Sequence, residues 1–148
     1  RGCQVIAQVA ASKTSAVMAA GASRIIHRND TPAEILGMDA VDVVVDLVAG
    51  PTWPNLLDII ARGGRYVTAG AIAGPIVELD VRTLYLKDLT LMGATYQDKT
   101  CFQNLISYIE NDEIKPIVAA SLPLKDIRKA QKMFLDKNFV GKIVLTIP

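Results

Sequence analysis

Apolar and polar positions along this chain fall into short runs whose period changes repeatedly. The densest is Asp42-Val43-Val44-Val45-Asp46-Leu47-Val48-Ala49-Gly50, β-branched in the middle, entered by an acid and closed by Gly50 and Pro51. That pattern predicts a central parallel strand buried on both faces. After it, Leu56, Leu57, Ile59 and Ile60 space as one helix face, Gly63-Gly64 reads as the stop of that helix, and Tyr66-Val67-Thr68-Ala69-Gly70 begins a second apolar strand. The unit is βαβ. In open sheets built this way ligands bind at the carboxyl ends of the strands, here Val48 to Gly50 and Ala69 to Gly74.

The same alternation extends in both directions. Upstream, Gln4 to Ala10 is apolar enough for a strand, Ser12 is placed to cap a short helix over Ser15 to Ala20, and Gly21 ends it. Arg24-Ile25-Ile26-His27 is a short strand, and Thr31-Pro32-Ala33-Glu34 is a capping box with proline at the first helical position, ended by Gly37. Downstream, Gly74-Pro75 opens a loop, Asp80 caps a helix through Leu84 and Leu86, and Leu89 to Ala94 is the next strand. Phe102, Leu105, Ile106 and Ile109 recur at helical spacing before Lys115-Pro116 interrupts them. A short strand at Ile117 to Ala119, a helix from Asp126 carrying Ile127, Ala130 and Phe134, and a last strand from Lys142 to Ile147 follow as a separate layer. Repeated strand and helix predict a parallel sheet with helices on both faces.

Composition narrows the function classes. At 148 residues and 51% hydrophobic, the chain has enough material for a sizeable core. A net charge of +1, with no basic block and no aromatic-basic stripe, gives no electrostatic case for nucleic acid. No apolar run has the length of a membrane span and no signal peptide is visible, and the two distant cysteines, Cys3 and Cys101, fit a reducing compartment, so the cytoplasm is expected. The start at Arg1-Gly2-Cys3, without methionine and directly before a strand pattern, reads as that of a fragment.

Taken in order, several segments resemble the cofactor domain of the medium-chain dehydrogenase/reductase family, the zinc-type alcohol dehydrogenases and their quinone oxidoreductase relatives. Val5-Ile6-Ala7 resembles that domain's second strand, and Ala20-Gly21-Ala22 with Ile25-Ile26 its turn into the third. Val41 to Asp46 with Gly50 is similar to its fourth strand, Gly63-Gly64-Arg65 to its Pro-Gly-Gly-Arg turn, Leu86 to Gly93 to its sixth strand, and Val140 to Leu145 to its closing strand. The resemblance implies a Rossmann-type doubly wound α/β fold with a parallel sheet in the order 3-2-1-4-5-6, lacking its first strand, plus a short carboxyl-terminal α/β segment. It divides the chain into a partial dinucleotide-binding domain over 1–115 and a segment over 116–148 that packs on a catalytic domain. The Gly-x-Gly-x-x-Gly fingerprint is absent, the family's zinc ligands have no counterpart here, and Ala61-Arg62 stands where Lys-Pro is usual. Without the first strand, either its two neighbours close up or the chain associates through an exposed edge.

The resemblance also gives the chemistry. An acid at the end of the second strand would accept both ribose hydroxyls of NAD; Val9, Ala10 and Ala11 offer none. Ser12, Lys13 and Arg28 instead supply a hydroxyl and two cations suited to a 2′-phosphate, so NADP(H) is favoured over NAD(H). The alternative leaves Ser12 a helix cap and the cations solvated. Val48, Ala49, Gly50, Ala69, Gly70, Ala71 and, on the last parallel strand, Ala94, Thr95 and Tyr96 are the expected contacts of the nicotinamide half; as bare residues Gly50, Gly70 and Gly74 are also ordinary turn glycines, and Tyr96 an ordinary packing residue.

Other candidates read as structural. His27 has no metal partner at ligand spacing. Asp42 and Asp46 stand about 13 Å apart at strand rise, too far to share a proton, which makes Asp46 a ribose or loop-orienting group, or a polar residue bonded to nearby backbone N–H. Trp53, between Pro51 and Pro54, reads either as the border of a substrate cleft or, the favoured role, as an aromatic packed over a helix start. Cys3 and Cys101 have no neighbouring base that marks a reactive thiolate. The implied function is the NADP(H)-binding portion of an oxidoreductase that moves a hydride between nicotinamide and an alcohol, carbonyl, quinone or enone, with no catalytic residue of its own. Its partners are a dinucleotide, a small-molecule substrate and a second subunit paired through the Leu89–Ala94 edge. The alternative is a non-catalytic nucleotide-binding or oligomerisation module on the same fold; a methyltransferase-like domain would want the acid that is missing after Val9.

Overall fold

The computed structural model describes residues 2–148, which form two compact units, one ending at Tyr96 and the other spanning Gln97–Pro148. The first unit runs β1 (Ile6–Val9), a single 3-10 turn (Ala11–Lys13), α1 (Thr14–Ala19), β2 (Arg24–His27), α2 (Pro32–Leu36), β3 (Val41–Asp46), α3 (Pro54–Asp58), β4 (Ile60–Thr68), α4 (Val81–Leu86) and β5 (Thr90–Gly93). The second holds α5 (Lys99–Glu110), β6 (Val118–Pro123), α6 (Ile127–Asp136) and β7 (Lys142–Thr146). The expected α/β class with parallel pairing is what the chain adopts, since every ladder is parallel and each crosses over through a helix.

One continuous sheet is not formed. β1 pairs with β2, β3 with β4 and β4 with β5, and no ladder joins β1 to β3 among the described residues. The expected closing-up of β1 against β3 therefore does not occur: among the described residues each keeps one unpaired edge. The second unit has its own ladder, β6 with β7, in which Leu122 faces Leu145.

The core of the first unit lies on one side of β3–β4–β5. Trp53, Leu57, Ile60, Tyr66 and Leu89 are buried together, with Val44, Leu84 and Leu91 half-buried against them. Strand alternation sends Val44 and Asp46 to this side and Val43, Val45 and Leu47 to the other. The latter three are 41%, 69% and 59% exposed, which corrects the expectation of a strand buried on both faces. The β-branched run is the same in either case; what the second face lacks, among the described residues, is a covering helix.

The predicted helix through Ile60 is also shorter than expected. α3 ends at Asp58 because its last carbonyls are taken by other groups: Asp58 O accepts from Asp39 N, and Ile59 O accepts from Ala40 N and Val41 N at 2.7 and 3.0 Å. Lys87 Nζ donates to Leu57 O and Asp58 O and pairs with Asp39 at 2.8 Å, placing a cation at the helix carboxyl end. Ile60 then opens β4. Gly63-Gly64 is not a helix stop but part of a bulge, since Val41 faces Ile60 while Val43 already faces Arg65. A Cβ on Gly64 would meet the Ile60 side chain, and would stand 2.7 Å from Ala61 O and 2.9 Å from Asp42 O, so the bulge requires glycine there.

Helix ends follow the sequence unevenly. Asp80 caps α4, its carboxylate accepting from Arg82 N at 2.9 Å, and Asp98 caps α5 by accepting from Cys101 N. Ser12 does not cap: it sits inside the 3-10 turn that leads straight into α1, with no side-chain cap bond at either start. Thr31 precedes α2 with Pro32 next, yet only backbone closes the turn, through Glu34 N to Thr31 O, so the side-chain half of the capping box is not made. In the second unit α5 buries no residue, whereas α6 buries Ala130. β6 extends beyond the expected Ile117–Ala119 because β7 offers it a ladder out to Thr146.

Candidate functional site

Two carboxyl edges carry the expected contacts. At the first, Val9 faces His27, and the next amide, Arg28 N, donates to Val9 O at 2.9 Å, while Lys13 N donates to Ala10 O at 2.9 Å. Lys13 and Arg28 thus leave the same edge at backbone level, with Ser12 exposed between them in the turn. Gln8 supports the exit of β2, its side-chain amide donating to Arg28 O at 3.2 Å and Asp30 O at 3.0 Å. Neither cation belongs to an ion pair among the described residues.

The second edge is formed by the turns that follow β3 and β4. Asp46, the last residue of β3, is 6% exposed and its carboxylate is saturated by donors from its own chain. Val48 N donates at 2.8 Å, Ala49 N reaches both oxygens at 3.2 and 3.1 Å, and Tyr66 Oη donates at 2.6 Å. This bears out Asp46 as a loop-orienting group. Burial first, and then the Asp46 carboxylate it bonds to, hold the Tyr66 phenol above its ordinary pKa. Trp53 packs edge-on against Tyr66, ring centroids 5.5 Å apart and planes at 79°, as expected of packing over the start of α3.

Those bonds hold an unusual turn. Ala49 has φ +52 and Gly50 φ +81, successive left-handed residues of which the first is not glycine. The turn interlocks with the one after β4: Ala73 N donates to Val48 O at 2.9 Å, a Cβ on Gly50 would lie 2.8 Å from that of Ala73, and one on Gly70 would lie 2.8 Å from Leu47 O. At Gly50 and Gly70 the close backbone approach visible in the sequence is thus made to the neighbouring turn. Val48, Ala69 and Ala71 are exposed, and Ala49 and Gly70 half-buried.

A cavity of about 340 Å³ opens beside this pair of turns, lined by Ala49 and Ala71 from them, by Trp53, Tyr66 and Thr68 below, and by Leu91 to Gly93 of β5. Its wall is largely apolar, with the Thr68 hydroxyl donating to Gly70 O at 3.1 Å. Ala94 N continues the ladder to Thr68 O at 2.8 Å, while Thr95 and Tyr96 beyond it are exposed, Tyr96 by 85%. The structure therefore brings Ala49 and Ala71 to one cavity and leaves Tyr96 outside it. Tyr66 and Thr68, like Pro75, Val77 and Leu91 to Gly93, line that cavity without having been singled out as contacts from the sequence. The available signal was the fixed step from Asp46: once β3 and β4 are paired in parallel, Thr68 falls opposite Asp46 and Tyr66 opposite Val44.

A largely apolar wall beside backbone turns suits an aromatic ring, so the residues present fit the nicotinamide half of a dinucleotide. They do not fit zinc. Among the described residues no three His, Cys, Asp or Glu side chains come together as a metal site, and His27 is exposed at the end of β2. Cys3 and Cys101 are exposed and not joined in a disulfide. No helix of the described residues is long and apolar enough to cross a membrane.

Comparison with known proteins agrees with this geometry. A solved structure of a putative alcohol dehydrogenase from Sinorhizobium meliloti is 43% identical and superposes with a TM-score of 0.87, covering 100% of this chain and 42% of that one. An NAD-dependent alcohol dehydrogenase is 25% identical with a TM-score of 0.84, over 99% of this chain and 45% of that one. Among curated proteins, acryloyl-coenzyme A reductase of Sulfurisphaera tokodaii is 28% identical over 97% of this chain, which spans 43% of that relative's length. The pattern that defines the zinc-binding dehydrogenases matches residues 20–145. With its Rossmann-like parallel α/β fold, the chain belongs to the zinc-binding dehydrogenases of the medium-chain dehydrogenase/reductase family.

Proposed function

We propose that this chain is the dinucleotide-binding portion of an oxidoreductase and that it takes NADP(H) in preference to NAD(H). The observation that carries the preference is the first carboxyl edge: no acid follows β1, and the amides of Arg28 and Lys13 are anchored to successive carbonyls, Val9 O and Ala10 O. A phosphate on the adenosine ribose would meet there two cations that belong to no ion pair among the described residues, and the Ser12 hydroxyl. Val48 to Gly50, Ala69 to Ala71 and Ala94 to Tyr96 would border the nicotinamide half. When bound, the cofactor supplies hydride transfer at nicotinamide C4; this chain's residues bind and orient it. Substrate classes follow from relatives, an alcohol or an activated alkene such as an acryloyl thioester, with the substrate groups coming from outside these residues.

Among the described residues β5 has β4 on one side and no strand on the other, which supports the Leu89–Ala94 edge as the pairing edge of a homodimer; a monomer in sedimentation equilibrium refutes that part. The cytoplasm stays the proposed compartment, on the two cysteines far apart in sequence. The cofactor reading is tested by titrating the chain with NADPH and NADH while following nicotinamide fluorescence. Tighter NADPH binding that is lost on combining Lys13→Ala with Arg28→Ala supports it. Equal affinities, or a preference unmoved by the double substitution, refute the phosphate site.

A further inference from the structure

The Asp46–Tyr66 pair is a buried polar contact in a core that is otherwise apolar, and nothing in hydride chemistry requires it. Its carboxylate is not spent on the helix ends or the sheet ladders. Apart from Tyr66, all its donors are the amides of Val48 and Ala49, the two residues entering the left-handed turn. An alanine in that conformation costs about 1–2 kcal/mol on its own, so the turn persists only where its surroundings determine it. Here the determinant is a carboxylate held in place by one phenol, itself fixed by Trp53 and by the register of β4.

The interlock carries that constraint further. Val48 O takes the Ala73 amide, and Gly50 and Gly70 leave no room between the turns, so a rotation of the 47–50 backbone displaces the 70–73 backbone with it. Both turns border the same cavity through Ala49 and Ala71. We propose that Tyr66 and Asp46 are positioning residues for the nicotinamide half of the cofactor, setting the turns after β3 and β4 together, and that they have no part in holding the adenosine half. The proposal rests on the cofactor reading above. Its distinctive content is the split: the adenosine phosphates belong to the edge of β1 and β2, which shares no ladder with β3–β4–β5.

The test uses the whole chain, two ligands and three variants. NADPH and 2′,5′-ADP, which lacks the nicotinamide, are titrated against wild type, Tyr66→Phe, Asp46→Asn and Asp46→Ala at a temperature where sole-tryptophan fluorescence from Trp53 shows each variant folded. Tyr66→Phe keeps the ring and removes the donor, so it remains informative where Asp46→Ala fails to fold. Expected is a loss of about tenfold for NADPH in Tyr66→Phe, the scale of one hydrogen bond to a charged acceptor, with 2′,5′-ADP unchanged within about twofold. Asp46→Asn, which still accepts from Val48 and Ala49, recovers most of the NADPH affinity that Asp46→Ala loses. Parallel losses of both ligands, or no loss of either, mean a merely structural pair and overturn the proposal. Failure of wild type to bind either ligand overturns the cofactor reading first.

Discussion

Replacing Tyr66 by phenylalanine isolates one interaction whose size can be worked out. The ring stays, with its edge contact to Trp53. What goes is a 2.6 Å hydrogen bond from a phenol 3% exposed to a carboxylate 6% exposed. A hydrogen bond to a charged acceptor contributes about 1.5–3 kcal/mol, and Asp46 keeps its bonds to the Val48 and Ala49 amides, so the expected loss is about 2 kcal/mol. Urea unfolding followed by Trp53, the sole tryptophan and a member of the same core, reads this directly. With slopes of about 1–3 kcal/mol per molar urea, the midpoint should fall by about 1 M at neutral pH. The same pair of proteins separates at high pH. Because the folded state holds the Tyr66 phenol above its ordinary pKa, the contribution is complete below about pH 10, where the unfolded chain begins to give up its proton, and is lost as pH rises from there through the higher folded-state value. The gap between wild type and Tyr66→Phe should therefore shrink in alkali. A midpoint moved by less than about 0.2 M at neutral pH would refute the bond, and a gap constant into alkali would refute the perturbed phenol.

Two further substitutions test the frame around the site. Gly64→Ala puts a methyl against Asp42 O and Ala61 O inside the bulge and should cost about 3 kcal/mol, whereas Gly63→Ala, with φ +74 but open space, should cost about 1 kcal/mol; equal losses in urea would dismiss the packing argument. Lys87→Met keeps the aliphatic stem and removes the donor to Leu57 O and Asp58 O together with the pair to Asp39, for an expected loss of about 2 kcal/mol; an unchanged midpoint in thermal or urea unfolding would show that water replaces the ammonium at no cost.

What the sequence made legible was local, and what it hid depended on strands meeting. Asp80 and Asp98 lie at helix starts where a short acid reaches the amides two or three residues on, and both cap as such residues do. Ser12 has the same local credentials and caps nothing, because a 3-10 turn from Ala11 moves the helix start past it. Ile59 and Ile60 were correctly apolar and buried, yet belong to a strand entrance, since Lys87 and the amides of Ala40 and Val41 take carbonyls that a longer helix would need. Helical and extended backbones can bury the same two isoleucines, and periodicity over so few residues does not separate them. At the site, Asp46 was found from its place at a strand end. Tyr66 was not, because the bond between them appears only once the register sets Tyr66 opposite Val44. The open face of Val43, Val45 and Leu47 has the same origin: composition marks residues able to be covered, and it does not say by what.

The division into three separate sheets bears on how the chain reaches this structure. Each parallel pair joins strands separated by only a helix and its turns, as when Val9 meets His27, Thr68 meets Gly93 or Leu122 meets Leu145. The entropy of closing such segments grows only with the logarithm of their length, and no ladder awaits a partner from the far end of the chain. Parallel sheets are slow to form where distant strands must be brought side by side before any contact repays the closure. Among the described residues that step is missing, so the β1–β2 and β6–β7 segments are each free to nucleate on their own, while the β3–β4 and β4–β5 segments are coupled through the strand they share.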